Sequence, residues 1–133
     1  MRAANEFGQN FGRMFQPDLH EARTQHAALR EIFYRPDRHL DAPLLRRVEA
    51  LCRRASAAVD DEYCQQEMRL VASYAAELFS EQRHHKYESQ SLSGTEFLRL
   101  QIIKALDSFH SRLFSLDAMR RAAALGVKPE ERA

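Results

Sequence analysis

Between Pro43 and Gly94 no glycine or proline interrupts the chain. The segment is rich in Ala, Arg, Leu and Glu, so its backbone is free to run as helix over almost its whole length. The same holds from Gly94 to Gly126. What punctuates the sequence is capping chemistry. Asp18 with Glu21 forms a capping-box pattern after Pro17, and a helix is expected over about 19–34, stopped by Arg35-Pro36. Asp41-Ala42-Pro43 opens a second helix to about 57, with proline in the first turn. Asp60-Asp61-Glu62 reads as a cap followed by a first-turn acid, and the chain is broken there; the competing reading is one helix over 42–88. The third helix is expected over 61–88. Ser89–Gly94 is a loop by composition, and Ser93 with Glu96 caps a fourth helix that ends at Leu125-Gly126.

Apolar spacing follows these boundaries. Leu19, Ala22, Leu29 and Phe33 recur at helical intervals, as do Leu44, Val48, Leu51, Cys52 and Ala55, and then Cys64, Met68, Val71, Ala75 and Leu78. The fourth helix carries its stripe of Leu98, Ile102, Ala105, Phe109, Leu113 and Leu116 plus a second row of Ile103, Leu106 and Phe114. A helix apolar over so much of its circumference is central to a bundle or shared with a second chain. The expected fold is all-α, a four-helix bundle-like single domain over 17–128, with an N-terminal aromatic arm over 1–16 and a frayed tail over 129–133.

A chain of 133 residues with 44% hydrophobic and 29% charged residues can bury a core without staples. Two cysteines, Cys52 and Cys64, make no disulfide framework and match no zinc spacing. They are read as reduced core residues that a hairpin at 58–60 brings together. The apolar runs are too short to span a bilayer and no signal-type hydrophobic region opens the sequence. The expectation is a cytoplasmic protein of a bacterial-type cell without a membrane partner.

Net charge is +1, so no global field selects nucleic acid or membrane. Its distribution is uneven. Lys and Arg outnumber Asp and Glu by 7 to 4 over residues 30–54, are outnumbered 3 to 8 over 60–96, and lead 7 to 4 over 97–133. Compensation between neighbouring helices accounts for this pattern without a partner. Arg46-Arg47 and Arg53-Arg54, seven residues apart, stack opposite the apolar stripe of the second helix and form a basic patch. Phosphates are one ligand for such a patch. Glu49 interrupts it and no aromatic interleaves it, which argues against nucleic acid.

Three further features carry chemistry. Glu81-x-x-His84 and Asp107-x-x-His110 each set a carboxylate and an imidazole on one helix face, and His26 sits on the apolar stripe of the first helix. Together they loosely resemble the ligand pattern of ferritin-like di-iron bundles, which need two Glu-x-x-His motifs with inward carboxylates on the other two helices. A metal-binding bundle using His26, Glu81, His84 and His110 is therefore the alternative reading, with a hydrogen-bonded core histidine as the plainer account of His26. The environment of His84-His85-Lys86 lacks the later Lys and the Gly of a phosphotransfer histidine domain. Finally, Phe7, Phe11 and Phe15 form an aromatic ridge that two glycines keep from standing as an isolated helix.

No motif specifies a reaction or a cofactor. The sequence points to a non-enzymatic helical interaction protein, an adaptor or binding module, acting as a homodimer through Phe7, Phe11, Phe15, Ile103, Leu106 and Phe114. A nucleic-acid-binding protein using its Arg-rich helix face is the third reading.

Overall fold

A computed structural model describes residues 18–35, 38–80 and 83–126. Phe7, Phe11, Phe15, Glu81, the arm boundary at 16 and the tail from 129 lie outside the described residues. Four α-helices and no strand occur among the described residues: α1 (Leu19–Phe33), α2 (Ala42–Ala58), α3 (Glu62–Leu78) and α4 (Gly94–Ala124), with a 3₁₀ turn (His84–Tyr87) before α4.

Each helix starts where a side-chain acceptor meets the amide three residues on. Asp18 accepts from Glu21 N–H at 3.0 Å, Asp41 from Leu44 at 2.9 Å, Asp61 from Cys64 at 3.0 Å and Ser93 from Glu96 at 3.1 Å. Each such cap supplies about 1 kcal/mol by satisfying an orphan donor. Glu21 does not complete a capping box, because the Asp18 N–H donates instead to the Ala58 carbonyl at 3.0 Å, and the Glu21 carboxylate accepts from Gln25. That backbone bond ties the start of α1 to the end of α2.

The chain breaks between α2 and α3 at Val59–Asp61, so the single-helix alternative fails. The third helix is shorter than its composition suggests. Its apolar stripe ends at Leu78, and positions 82 and 85 offer Gln and His, so nothing holds a further turn against the core. The chain instead turns at Phe79–Ser80, and the 3₁₀ turn packs on the start of α4, where Tyr87 stacks on Phe97 with ring centroids 5.6 Å apart. Gly94 makes that approach possible, since a Cβ there would collide with the His84 carbonyl. At the far end Gly126, with φ of +76°, terminates α4 in the left-handed conformation that glycine adopts freely.

Successive helices run antiparallel, with a connection of three residues between α2 and α3 and a longer one over 79–93 between α3 and α4, and α4 closes the ring onto α1. Pairing of Arg23 with Asp117, His26 with His110 and Tyr34 with Asp107 fixes the antiparallel register of that last contact. The result is an up-down-up-down bundle in which α1, α2, α3 and α4 each pack on two neighbours. Phe33, Val48, Met68, Ile102, Phe109 and Leu113 lie in the shared core. At 31 residues α4 is about 46 Å long and packs against α1, α3 and the 3₁₀ turn. No helix among the described residues is long and apolar enough to cross a membrane.

Candidate functional site

Two grooves run along opposite sides of this ring. The first lies between α1 and α4 and is lined by Arg23, His26, Ala27, Arg30 and Glu31 of α1, Tyr34 and Arg35 just after it, and His110 of α4, with a volume of about 710 Å³. His26 forms its back wall. It is 8% exposed, and its ring stacks on exposed His110 with centroids 4.9 Å apart and on Phe109 at 6.1 Å. The His26 Nε2 is buried and has no hydrogen-bond partner among the described residues. A buried polar atom left so costs about 1–3 kcal/mol. Burial holds the His26 imidazole below its ordinary pKa; His110 and Arg30 push the same way, against the Leu106 carbonyl and Asp107.

The charges around this groove do not cancel locally. Arg35 pairs with Glu31 at 3.2 Å. Arg30 lies over the Tyr34 ring, 4.8 Å from its centroid, and makes no ion pair among the described residues. Asp117 is buried and draws three guanidinium groups, Arg23 at 3.7 Å, Arg120 at 3.1 Å and Arg121 at 3.0 Å. One carboxylate facing three arginines leaves net positive charge along the α1/α4 face. Sequence reasoning missed this cluster. Its signal was Asp117 standing four residues after Leu113 on the apolar stripe, followed by two arginines.

The second groove lies between α2 and α3, with a volume of about 630 Å³. Cys52 and Met68 form its floor, Ser56, Ala57 and Ala72 its low walls, and Arg53, Arg69, Glu49 and Gln65 its rims. Arg46, Arg47, Arg53 and Arg54 are all exposed, and none makes an ion pair among the described residues. The acidic third helix does not neutralise them. Its cap Asp61 is held by Arg112 of α4 and its Glu77 by Lys86, so the compensation expected between α2 and α3 is made elsewhere. Both thiols are free and buried, and burial pushes Cys52 and Cys64 up to about 12, Cys64 with help from Asp61. They stay protonated and serve as packing groups.

The metal-ligand set is not gathered. His26 and His110 meet, but their rings are nearly parallel at 26°, and a metal held in the plane of one imidazole cannot lie in the plane of the other. His84 sits on the 3₁₀ turn against Gly94, sixteen residues or about 24 Å of helix from His110. Glu81 lies outside the described residues, and no cluster of three ligating side chains occurs among those described. The second apolar row of α4 also divides. Leu106 is fully buried where α1 covers it, so it belongs to the monomer's core and cannot form a partner surface. Ile103 is half-buried and Phe114 is 72% exposed.

Comparison with protein-family models, with curated proteins and with solved structures finds no match for the chain.

Proposed function

We propose that this chain is a helical interaction module that docks an acidic, amphipathic helix of a protein partner in the α2/α3 groove. The observation carrying the reading is the groove's combination of an apolar floor with arginines on and beside its rims that make no ion pair among the described residues. Small side chains at Ser56, Ala57 and Ala72 let a helix backbone come close. Arg53 and Arg69 stand on its two walls, and Arg46, Arg47 and Arg54 extend the positive field along α2. A partner helix with apolar anchors at three- and four-residue spacing and carboxylates on its flanks matches this surface. Glu49 on one rim sets its register by excluding a carboxylate there. We place the module in the cytosol of a bacterial-type cell, in keeping with its two free thiols.

Fluorescence anisotropy with a labelled sixteen-residue peptide, leucines on one face and glutamates on the other, tests the reading. Binding should weaken with salt, drop with Arg53→Glu and vanish with Ala72→Arg, which fills the groove. A lysine-flanked peptide should not bind. Equal binding of both peptides, or of neither, removes the proposal. Tighter binding of duplex DNA, lost with Arg46→Glu, would replace it with the nucleic-acid reading.

A second reading, self-association through the outer face of α4, is favoured by the exposure of Phe114 and Leu100 on that face.

A further inference from the structure

The α1/α4 groove lies on the opposite side of the bundle from the proposed docking surface and has a different chemistry. Its lining is made mostly of charged and ring side chains, with Ala27 the one aliphatic residue among those lining it. Its back wall is an imidazole more than nine-tenths buried, whose Nε2 has no partner among the described residues. Its sides are Arg23 and Arg30, and an exposed second imidazole, His110, lies across the first. The charged and titratable groups facing the pair are Arg23, Arg30 and Glu31 from α1, Tyr34 and Arg35 just after it, and Asp107 from α4, with Asp117, Arg120 and Arg121 beyond Arg23. Glu31 is occupied by Arg35, Asp107 accepts from the Tyr34 hydroxyl at 3.3 Å, and Asp117 is shared by three arginines. Among the described residues Glu31 and Asp117 are thus ion-paired and Asp107 accepts from a neutral hydroxyl, while Arg30 makes no ion pair.

We propose that the groove between α1 and α4 is a binding site for a phosphate dianion, free or as a small phosphomonoester, held by Arg23, Arg30, His26 and His110. Guanidinium groups flank such an ion from two sides with paired N–H donors, and protonated imidazoles add one donor each. His110 is on the surface, and a rotamer change, fast for an exposed side chain, lets its imidazole turn toward an ion in the groove. A dianion fits better than a carboxylate because two guanidinium groups and two imidazoles line the same groove. The Tyr34 ring, already under Arg30, offers a flat face for the organic part of an ester.

The test follows the two imidazoles by NMR while inorganic phosphate, phenyl phosphate or acetate is added to the full chain at constant ionic strength. Bound dianion favours the imidazolium forms, so the His26 and His110 titration midpoints should rise saturably with phosphate. Arg30→Gln and Arg23→Gln, both on the surface and checked for fold by circular dichroism, should each weaken that response about tenfold or more. A larger response to phenyl phosphate than to inorganic phosphate identifies an ester with Tyr34 as its platform and supports the site. Inorganic phosphate binding as well as the ester supports it with the free ion as ligand. Midpoints unmoved by either phosphate compound, moved equally by acetate, or moved unchanged in Arg30→Gln, would each overturn it. Failure here leaves the α2/α3 docking reading intact, since no residue is common to the two grooves.

Discussion

Arg112 grips the carboxylate of Asp61 from both sides, with Nε 3.1 Å from one oxygen and Nη2 2.8 Å from the other, while that carboxylate also caps α3 through the Cys64 N–H. One aspartate therefore starts a helix and fastens the α2/α3 turn to α4. Arg112 holds the Asp61 carboxyl below the ordinary carboxylate range, helped by the Cys64 amide and opposed by burial. Arg112→Ala should cost about 1–3 kcal/mol, and Asp61→Ala more, because it also removes the cap. Because the folded-state pKa is depressed, this stabilisation is present above the unfolded carboxylate value near 3.8 and is lost as pH falls through the lower folded value. Urea unfolding of both single variants and the double variant measures the coupling; an additive double variant would show that the contact contributes nothing.

His26 makes a second, separate pH dependence. Its folded pKa lies below the unfolded 6.5, so the unfolded chain binds the extra proton first. Stability from the neutral His26 is full above pH 6.5 and is lost as pH falls toward the folded value. Thermal midpoints should drop between pH 7.5 and pH 5, before the carboxylate window opens. His26→Gln should flatten that slope, and an unchanged slope would assign it to other groups.

The helix starts were legible in the sequence because a cap is a local event: Asp18, Asp41, Asp61 and Ser93 each bond an amide three residues away. The end of α3 was not. Absence of Gly and Pro permits helix through His84-His85 but does not favour it, and the missing apolar contact beyond Leu78 decided the matter. The fate of the second row on α4 depends on where α1 lies against it, which no periodicity encodes. The His26–His110 stack likewise joins residues 84 positions apart. Only the register of α1 on α4 creates it.

Gly94→Ala should destabilise the chain by about 1–3 kcal/mol, since the added methyl meets the His84 carbonyl and must push the 3₁₀ turn off α4. Gly94 is N-terminal in α4, where alanine would otherwise raise helix propensity. A stabilised variant in thermal unfolding would therefore show that the turn does not pack there. Loss of the Tyr87–Phe97 contact, followed by tyrosine fluorescence, reports the same displacement.

Both cysteines should resist a thiol reagent in the folded protein and react fully in denaturant. Burial and thiol values near 12 leave essentially no thiolate at pH 8. Rapid reaction of either thiol at neutral pH without unfolding would contradict the packing of the α2/α3 hairpin.

The outer face of α4 gives the last prediction. Phe114 and Leu100 are 72% and 50% exposed and lie four turns apart on the same side of the helix, with half-buried Ile103 between them. Two-fold antiparallel pairing of α4 sets Leu100 of each chain over Phe114 of the other, a self-complementary contact of the kind cyclic dimers use. Asp107 would stand near the centre of that contact, which weakens it and places the expected dissociation constant in the micromolar range rather than below. Light scattering across that range should show a monomer–dimer equilibrium. Phe114→Glu should shift it to monomer with helical circular dichroism unchanged. Leu106→Asp should instead unfold the chain, because Leu106 is fully enclosed by its own bundle. The contrast between these two variants separates the part of the second apolar row that holds the monomer from the part that faces outward. A strictly monomeric wild-type protein would exclude self-association through this face.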